Sequence, residues 1–191
     1  PYMMEYLICN NGAIVVTGSI DLTGTKLPEL PRFGMRMELH QPYENLVYYG
    51  RGPFENYIDR YSSSFIGRYE DKVENQFYWY IRPQETGNKT DVRWLALLNS
   101  EGEGVKITGL QPIAFSALHF SPEDLDPGLT RKLQHTIDIV PQKNIFLHVD
   151  LKQRGLGGDN SWGMYPYNKY RLLDKKYVYS YMIELAEKGS D

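Results

Sequence analysis

Apolar residues recur at every second position in run after run of this chain, and over no long stretch do they hold a helical period. A period of two turns one face of an extended strand toward a core and the other toward solvent. Ile14, Val16, Ile20 and Leu22 share such a face within residues 13–22, and Thr23-Gly24-Thr25-Lys26 then turns the chain. Phe33, Met35, Met37 and Leu39 alternate up to Gln41-Pro42-Tyr43-Glu44-Asn45, and Leu46, Tyr48 and Gly50 return, which predicts a hairpin. Phe77, Trp79 and Ile81 alternate as a further strand. Residues 92–98 are almost continuously apolar, residues 99–104 form a turn, and Val105 and Ile107 begin the partner strand. Ile137 and Ile139 lead to the turn Pro141-Gln142-Lys143-Asn144, out of which Ile145, Leu147, Val149 and Leu151 alternate. Tyr177, Tyr179, Tyr181, Ile183 and Leu185 make a final strand, and residues 188–191 are expected to fray.

Ser121-Pro122-Glu123-Asp124-Leu125 breaks the pattern with an N-capping serine, proline at the first helical position and acids in the first turn, the start of one short helix. The succession predicts an all-β fold, an antiparallel sandwich with at most one short helix. Its 191 residues suffice for one ample core, so residues 1–191 are expected to form a single domain. The chain opens at Pro1 almost directly into strand-like sequence, which suggests a piece of a larger protein.

Function classes fall away on composition. A net charge of −3 with scattered Lys and Arg gives no basic stripe to track phosphates, so nucleic acid is not an expected partner. No apolar run approaches the length of a membrane helix, so no membrane partner is expected either. Cys9 is the only cysteine and is expected to be a small buried apolar residue. His40, His119, His135 and His148 show no metal-ligand spacing, and no nucleophile elbow or phosphate loop is present. Glu123 and Asp124 are neighbours at a helix start, which leaves nothing to hold them across a sugar as a catalytic pair.

Two stretches concentrate chemistry. Arg154-Gly155-Leu156-Gly157-Gly158-Asp159-Asn160-Ser161-Trp162-Gly163 follows a buried strand and joins a flexible backbone to short polar groups and an indole. On local chemistry it reads more often as a hairpin loop with a core tryptophan. It also matches what a pyranose needs, an apolar face to stack on and hydroxyl partners. The second, Gly50-Arg51-Gly52-Pro53-Phe54-Glu55-Asn56-Tyr57-Ile58-Asp59-Arg60, departs from strand alternation and gathers charges that need partners. Glu55, Tyr57, Asp59 and Arg60 belong either to the rim of a sugar site or, the favoured reading, to a network such as Asp59–Arg60 or Glu55–Arg51 that pins a long loop. Asn88-Lys89-Thr90 fits a glycosylation sequon, a pattern short enough to arise by chance.

The run from Asp150 to Gly163 resembles the signature near the end of the last domain of large family 2 β-galactosidases. Further blocks resemble the same family in its order: Leu30-Pro31-Arg32-Phe33-Gly34, Tyr49 through Arg60, Pro83-Gln84-Glu85-Thr86-Gly87-Asn88 with Asp91-Val92-Arg93-Trp94, Ser116-Ala117-Leu118-His119, and Glu123-Asp124-Leu125. They span most of the chain. The resemblance implies the C-terminal domain of such an enzyme, an antiparallel β super-sandwich similar to galactose mutarotases, with its first strands missing or supplied differently and an open sheet edge.

It further implies hydrolysis of terminal non-reducing β-D-galactose residues with retention, by two glutamates in an upstream barrel domain. No catalytic residue is then expected in this chain. Trp162 falls where the family's tryptophan stacks on the sugar, and Gly158, Asp159 and Asn160 would share in binding substrate. The implied partners are the rest of the β-galactosidase chain, the β-galactoside and further copies in a homo-oligomer. Magnesium and sodium are implied for the whole enzyme, with no ligand assigned here. Two other readings stand beside this one. A free-standing aldose 1-epimerase would need a histidine acid, His119 or His148, to converge with a glutamate base, Glu55 or Glu85, in a pocket. A carbohydrate-binding module would bind sugar by itself.

Overall fold

The computed structural model describes residues 1–126, 128, 135–160 and 163–186. Nine antiparallel strands carry the fold: β1 (Tyr2–Ile8), β2 (Ile14–Asp21), β3 (Arg32–Leu39), β4 (Asn45–Gly52), β5 (Phe65–Lys72), β6 (Lys89–Leu98), β7 (Gly104–Leu118), β8 (Ile145–Gln153) and β9 (Lys176–Ala186). The short helix α1 (Pro122–Leu125) starts as expected. Ser121 accepts the Asp124 N–H, and Asp124 in return accepts the Ser121 N–H, a reciprocal cap.

The fold turns on β7. Residues 104–109 of β7 pair with β9, while residues 114–118 pair with β8, so one long strand serves two neighbours on the same side. A strand that changes partners part-way makes the corner of a sandwich. The main path runs β1-β2-β9-β7-β6-β4-β5, and β8 with β3 branches from the far end of β7. Between these layers lie Val16, Phe33, Leu46, Tyr48, Leu95, Leu97, Ile107, Phe115, Leu147, Val149, Tyr179 and Tyr181. Phe33 of β3 meets Tyr179 of β9 edge to face at 5.5 Å, and the Tyr179 hydroxyl donates to Val149 O at 3.1 Å. The fold is thus all-β, as the alternation predicts, and the inward sets of β2, β3, β8 and β9 hold with one exception, Leu185, which is exposed.

Three expectations are corrected. β3 and β4 form no hairpin: β3 pairs with β8, and β4 with β5 and β6. Alternation and a turn are local signals. The partner of β3 is set by contacts far away in sequence, the Arg32–Asp150 ion pair and the approach of Gly34 to Asp150, so close that any side chain at Gly34 would strike it. Residues 77–81 form no strand either. Phe77 is buried against Phe120 at 4.4 Å, but Trp79 and Ile81 are exposed, so the aromatic pair rather than a sheet ladder fixes this segment. Cys9 is half-buried, beyond the end of the edge strand β1. Residues 188–191 lie outside the described residues.

Among the described residues β1 pairs only with β2, and Tyr2, Met3, Tyr6, Leu7 and Ile8 are exposed, so there the sheet has an open edge, as expected. Among the described residues no helix is long and apolar enough to cross a membrane.

Candidate functional site

The loop that leaves β8 is pinned at its base by main-chain bonds. Arg154 N–H donates to Pro31 O and Gly155 N–H to Tyr170 O, both at 2.8 Å. The Arg154 guanidinium pairs with Glu29, which also binds Arg171, and both guanidinium groups lie over the Tyr165 ring at 5.6 and 4.5 Å. Burial works to raise the Glu29 pKa, but the hydrogen bonds and charges of Arg171 and Arg154 outweigh it and hold the carboxyl below its usual range.

The turn over residues 57–60 rises against this loop. Tyr57 and Arg60 exchange both backbone bonds, at 3.1 and 2.7 Å, and the Oδ2 of half-buried Asp59 between them accepts Gly157 N–H at 2.7 Å. A Cβ on Gly155 would stand 2.7 Å from Asp59 Cγ, and one on Gly157 3.3 Å from Asp59 Oδ2. Gly158 lies as tightly against Met164 O. Close approach is therefore why this loop is rich in glycine, and positive φ is required only at Gly163, where it is +98°. Beyond the contact the loop is exposed, with Gly158, Asp159 and Asn160 at the surface and Asp159 accepting from the Tyr167 hydroxyl at 3.3 Å. Trp162, assigned to the sugar face, lies outside the described residues, as does Ser161.

The charges of the second stretch pair differently from the expectation. Glu55 pairs with Arg60 at 2.6 Å, and Arg51 with Asp91 at 2.5 Å, so neither Asp59–Arg60 nor Glu55–Arg51 forms. Glu55 also accepts from the Tyr80 hydroxyl, from Thr86 Oγ1 at 2.9 Å and from Gly87 N–H at 2.8 Å. Burial pushes its pKa up, yet these donors together bring it below the usual carboxylate value. Arg60 lies over the Tyr57 ring at 5.3 Å. Tyr57 is wholly buried with its hydroxyl unpartnered, and burial with the charges of Glu85 and Glu55 raises its pKa.

Two sequence blocks prove to be one unit. Asn56 N–H donates to Asn88 O at 2.7 Å, Asn88 Nδ2 returns to Asn56 O at 2.8 Å, and Thr90 N–H reaches Asn56 Oδ1 at 2.9 Å. Asn88 is wholly buried, which closes the glycosylation sequon in the folded chain. Beneath them Arg32 binds Asp150 through Nε at 3.0 Å and Nη2 at 2.5 Å and Glu85 through Nη1 at 3.3 Å. Burial raises the Asp150 and Glu85 pKa values against the pull of Arg32. Sequence reading noted Asn56 only as one of the polar residues gathered in the second stretch, and passed over Arg32 and Asp150 as site-forming residues. The signal was that each lies inside a block of family resemblance while being polar and next to apolar core positions.

Of the four histidine–glutamate combinations, the pair His148 and Glu85 shares a cavity. His119 is engaged by Glu44 at 2.9 Å and by Asn144 O at 3.1 Å. His148 and Glu85 do line one cavity of about 300 Å³, with Arg32 and Ser116. Burial and the charges of Arg32 and Arg36 lower the His148 pKa to about 4, which leaves it without a proton to donate near neutrality. Among the described residues no group of three or more His, Cys, Asp or Glu gathers to hold a metal ion.

Residues 1–183 match the family described as beta galactosidase small chain. The chain is 35% identical over 169 residues to a β-galactosidase of Priestia megaterium, an alignment that covers 88% of this chain and 16% of that protein. To a β-galactosidase of Streptococcus thermophilus it is 33% identical over 183 residues, 95% of this chain and 17% of that protein. To one of Pseudoalteromonas haloplanktis it is 30% identical over 176 residues, 92% of this chain and 16% of that protein. It spans about a sixth of the length of these relatives, in keeping with a part of a larger assembly. A match over nearly its whole length makes this chain a member of the beta galactosidase small chain family.

Proposed function

We propose that this chain is the sugar-contacting β-sandwich part of a β-galactosidase that removes terminal non-reducing β-D-galactose with retention, and that its loop over residues 154–163 supplies one wall of the active site. The observation that carries the reading is the Asp59–Gly157 contact, which holds an otherwise exposed loop in a fixed place. Rigid support under a loop of Gly158, Asp159, Asn160 and Trp162 suits a surface that must present an aromatic face and polar groups to a pyranose. Retaining hydrolysis uses two carboxylates ~5–5.5 Å apart, one as nucleophile and one as acid then base. Asp59 is held to the loop by the Gly157 amide, and other acids of the site are engaged in ion pairs and hydrogen bonds: Glu55 by four donors, Glu29 by two arginines and Asp150 by Arg32. That pattern supports a binding role for this chain and a catalytic pair elsewhere in the assembly. Assembly into a homo-oligomer and a need for magnesium and sodium belong to the same proposal for the whole enzyme.

The test follows hydrolysis of a nitrophenyl β-D-galactoside by proton NMR, with the whole protein and with this chain alone. The whole protein is expected to release β-galactose first, which then mutarotates, while the chain alone releases none. α-Galactose as first product contradicts retention. Hydrolysis by the chain alone contradicts the placement of the carboxylates. Protein-dependent acceleration of α-galactose mutarotation by the chain, lost on replacing His148, would instead favour the epimerase reading.

A further inference from the structure

At the root of the same loop the sheet opens into a cavity of about 650 Å³, within the size range of small-molecule sites. Its lining includes Tyr61, Asn88, Thr90, Asp91, Gln153 and Tyr170. Asn88 is wholly buried and its Nδ2 donates to Asn56 O, which fixes the orientation of the amide. Its Oδ1 is then a buried acceptor with no partner, a group satisfied only by a donor.

Asp91 is a second departure from ordinary structure. At φ +52° it is the one non-glycine with positive φ among the described residues, and it sits where the β6–β7 register shifts between Lys89 and Val92. Bulges of this kind re-aim side chains, and backbone strain concentrates where function requires it. Arg51 balances its charge through Oδ2. The Tyr61 and Tyr170 rings each carry a cation on one face, Arg51 at 4.5 Å and Lys169 at 4.7 Å, which steadies them as part of the wall.

We propose that this cavity binds a neutral hexose. A pyranose brings hydroxyl donors for Asn88 Oδ1 and Asp91, an acceptor for Gln153, and an apolar face for a tyrosine ring. A carboxylate brings no donor to Asn88, and a phosphate brings a charge that the amide oxygen does not balance. The inference goes beyond the β-galactosidase reading, because it assigns a site to residues 88–91 rather than to residues 154–163, and either can fail without the other.

The experiment is hydrogen–deuterium exchange on the whole protein that carries this chain, with D-galactose, D-glucose or inorganic phosphate added. With hexose at about ten times its Kd, peptides covering residues 88–91 and 111–114 are expected to exchange about tenfold more slowly. Ala114 is buried and lines the cavity, so Ala114→Leu takes up part of it while leaving Asn56 and Asn88 unsubstituted. That variant is expected to keep the unliganded exchange pattern and lose the protection, and Tyr61→Ala at the rim to weaken it. Wild-type protein showing no protection of these peptides by either hexose overturns the proposal. Protection by phosphate alone, or protection confined to residues 154–160, does so too, and the last result would leave the β-galactosidase reading standing.

Discussion

Asp59 and Gly157, ninety-eight residues apart in the chain, meet through a 2.7 Å hydrogen bond from the glycine amide to the carboxylate. The contact is narrow: Gly155 passes Asp59 closely enough that an added Cβ would lie 2.7 Å from Asp59 Cγ. Asp59→Ala removes a hydrogen bond to a charged group, worth ~1.5–3 kcal/mol, and is expected to speed exchange of the Gly157 amide at least tenfold. Gly155→Ala alone is expected to destabilise by ~1–3 kcal/mol through overpacking. The double variant is expected to be less damaging than the sum, because Asp59→Ala opens room for the new methyl. Thermal melts of the four proteins check this, and strict additivity would mean that the two residues do not press on one another.

The Tyr57 hydroxyl is buried and has no partner. Removing a polar group that makes no hydrogen bond relieves a desolvation penalty rather than breaking a contact. Tyr57→Phe is therefore expected to leave the melting temperature unchanged or raise it, and a marked fall would reveal a partner for that oxygen.

Arg32 joins β3 to β8 by holding Asp150, whose side chain is 1% exposed. Truncating one member of a buried pair strands the other charge and costs ~3–5 kcal/mol. Arg32→Met is expected to fall in that range in denaturant unfolding. Adding Asp150→Asn should recover part of the loss, since the buried carboxylate is then gone.

His148 gives the stability a direction in pH. Its folded pKa is lowered from 6.5 to about 4, by burial first and then by Arg32 and Arg36, against Glu123. Between those values the unfolded chain binds the proton and the folded one does not, so stability rises with pH there. The contribution is complete above pH 6.5 and is lost as the pH falls toward 4. His148→Gln is expected to flatten this part of the profile, measured by denaturant unfolding at stepped pH. An unchanged slope would mean that His148 titrates normally.

Strand faces were legible wherever alternation met a single core, as in β2, β8 and most of β9. Pairing was not. Nothing local to Phe33–Leu39 or Leu46–Gly50 says that these strands lie apart, because the choice rests on Asp150, more than a hundred residues away. The aromatic run from Phe77 to Ile81 misled for the opposite reason: alternation marks the face of a strand but does not supply a hydrogen-bonding neighbour. Around the loop, the residue types were readable and their contacts were not. Asp59 was recognisable as a charge in search of a partner, yet that partner is a backbone amide, which no side-chain pattern reports.

The most direct test of the account replaces Trp162 in the whole protein. One aromatic stack is worth ~0.5–1.5 kcal/mol, which corresponds to about a two- to tenfold change in binding. Steady-state hydrolysis of lactose by Trp162→Leu is expected to show KM raised by about that factor. Should KM and kcat both remain at their wild-type values, this loop is no wall of the sugar site, and the role given to it here is wrong.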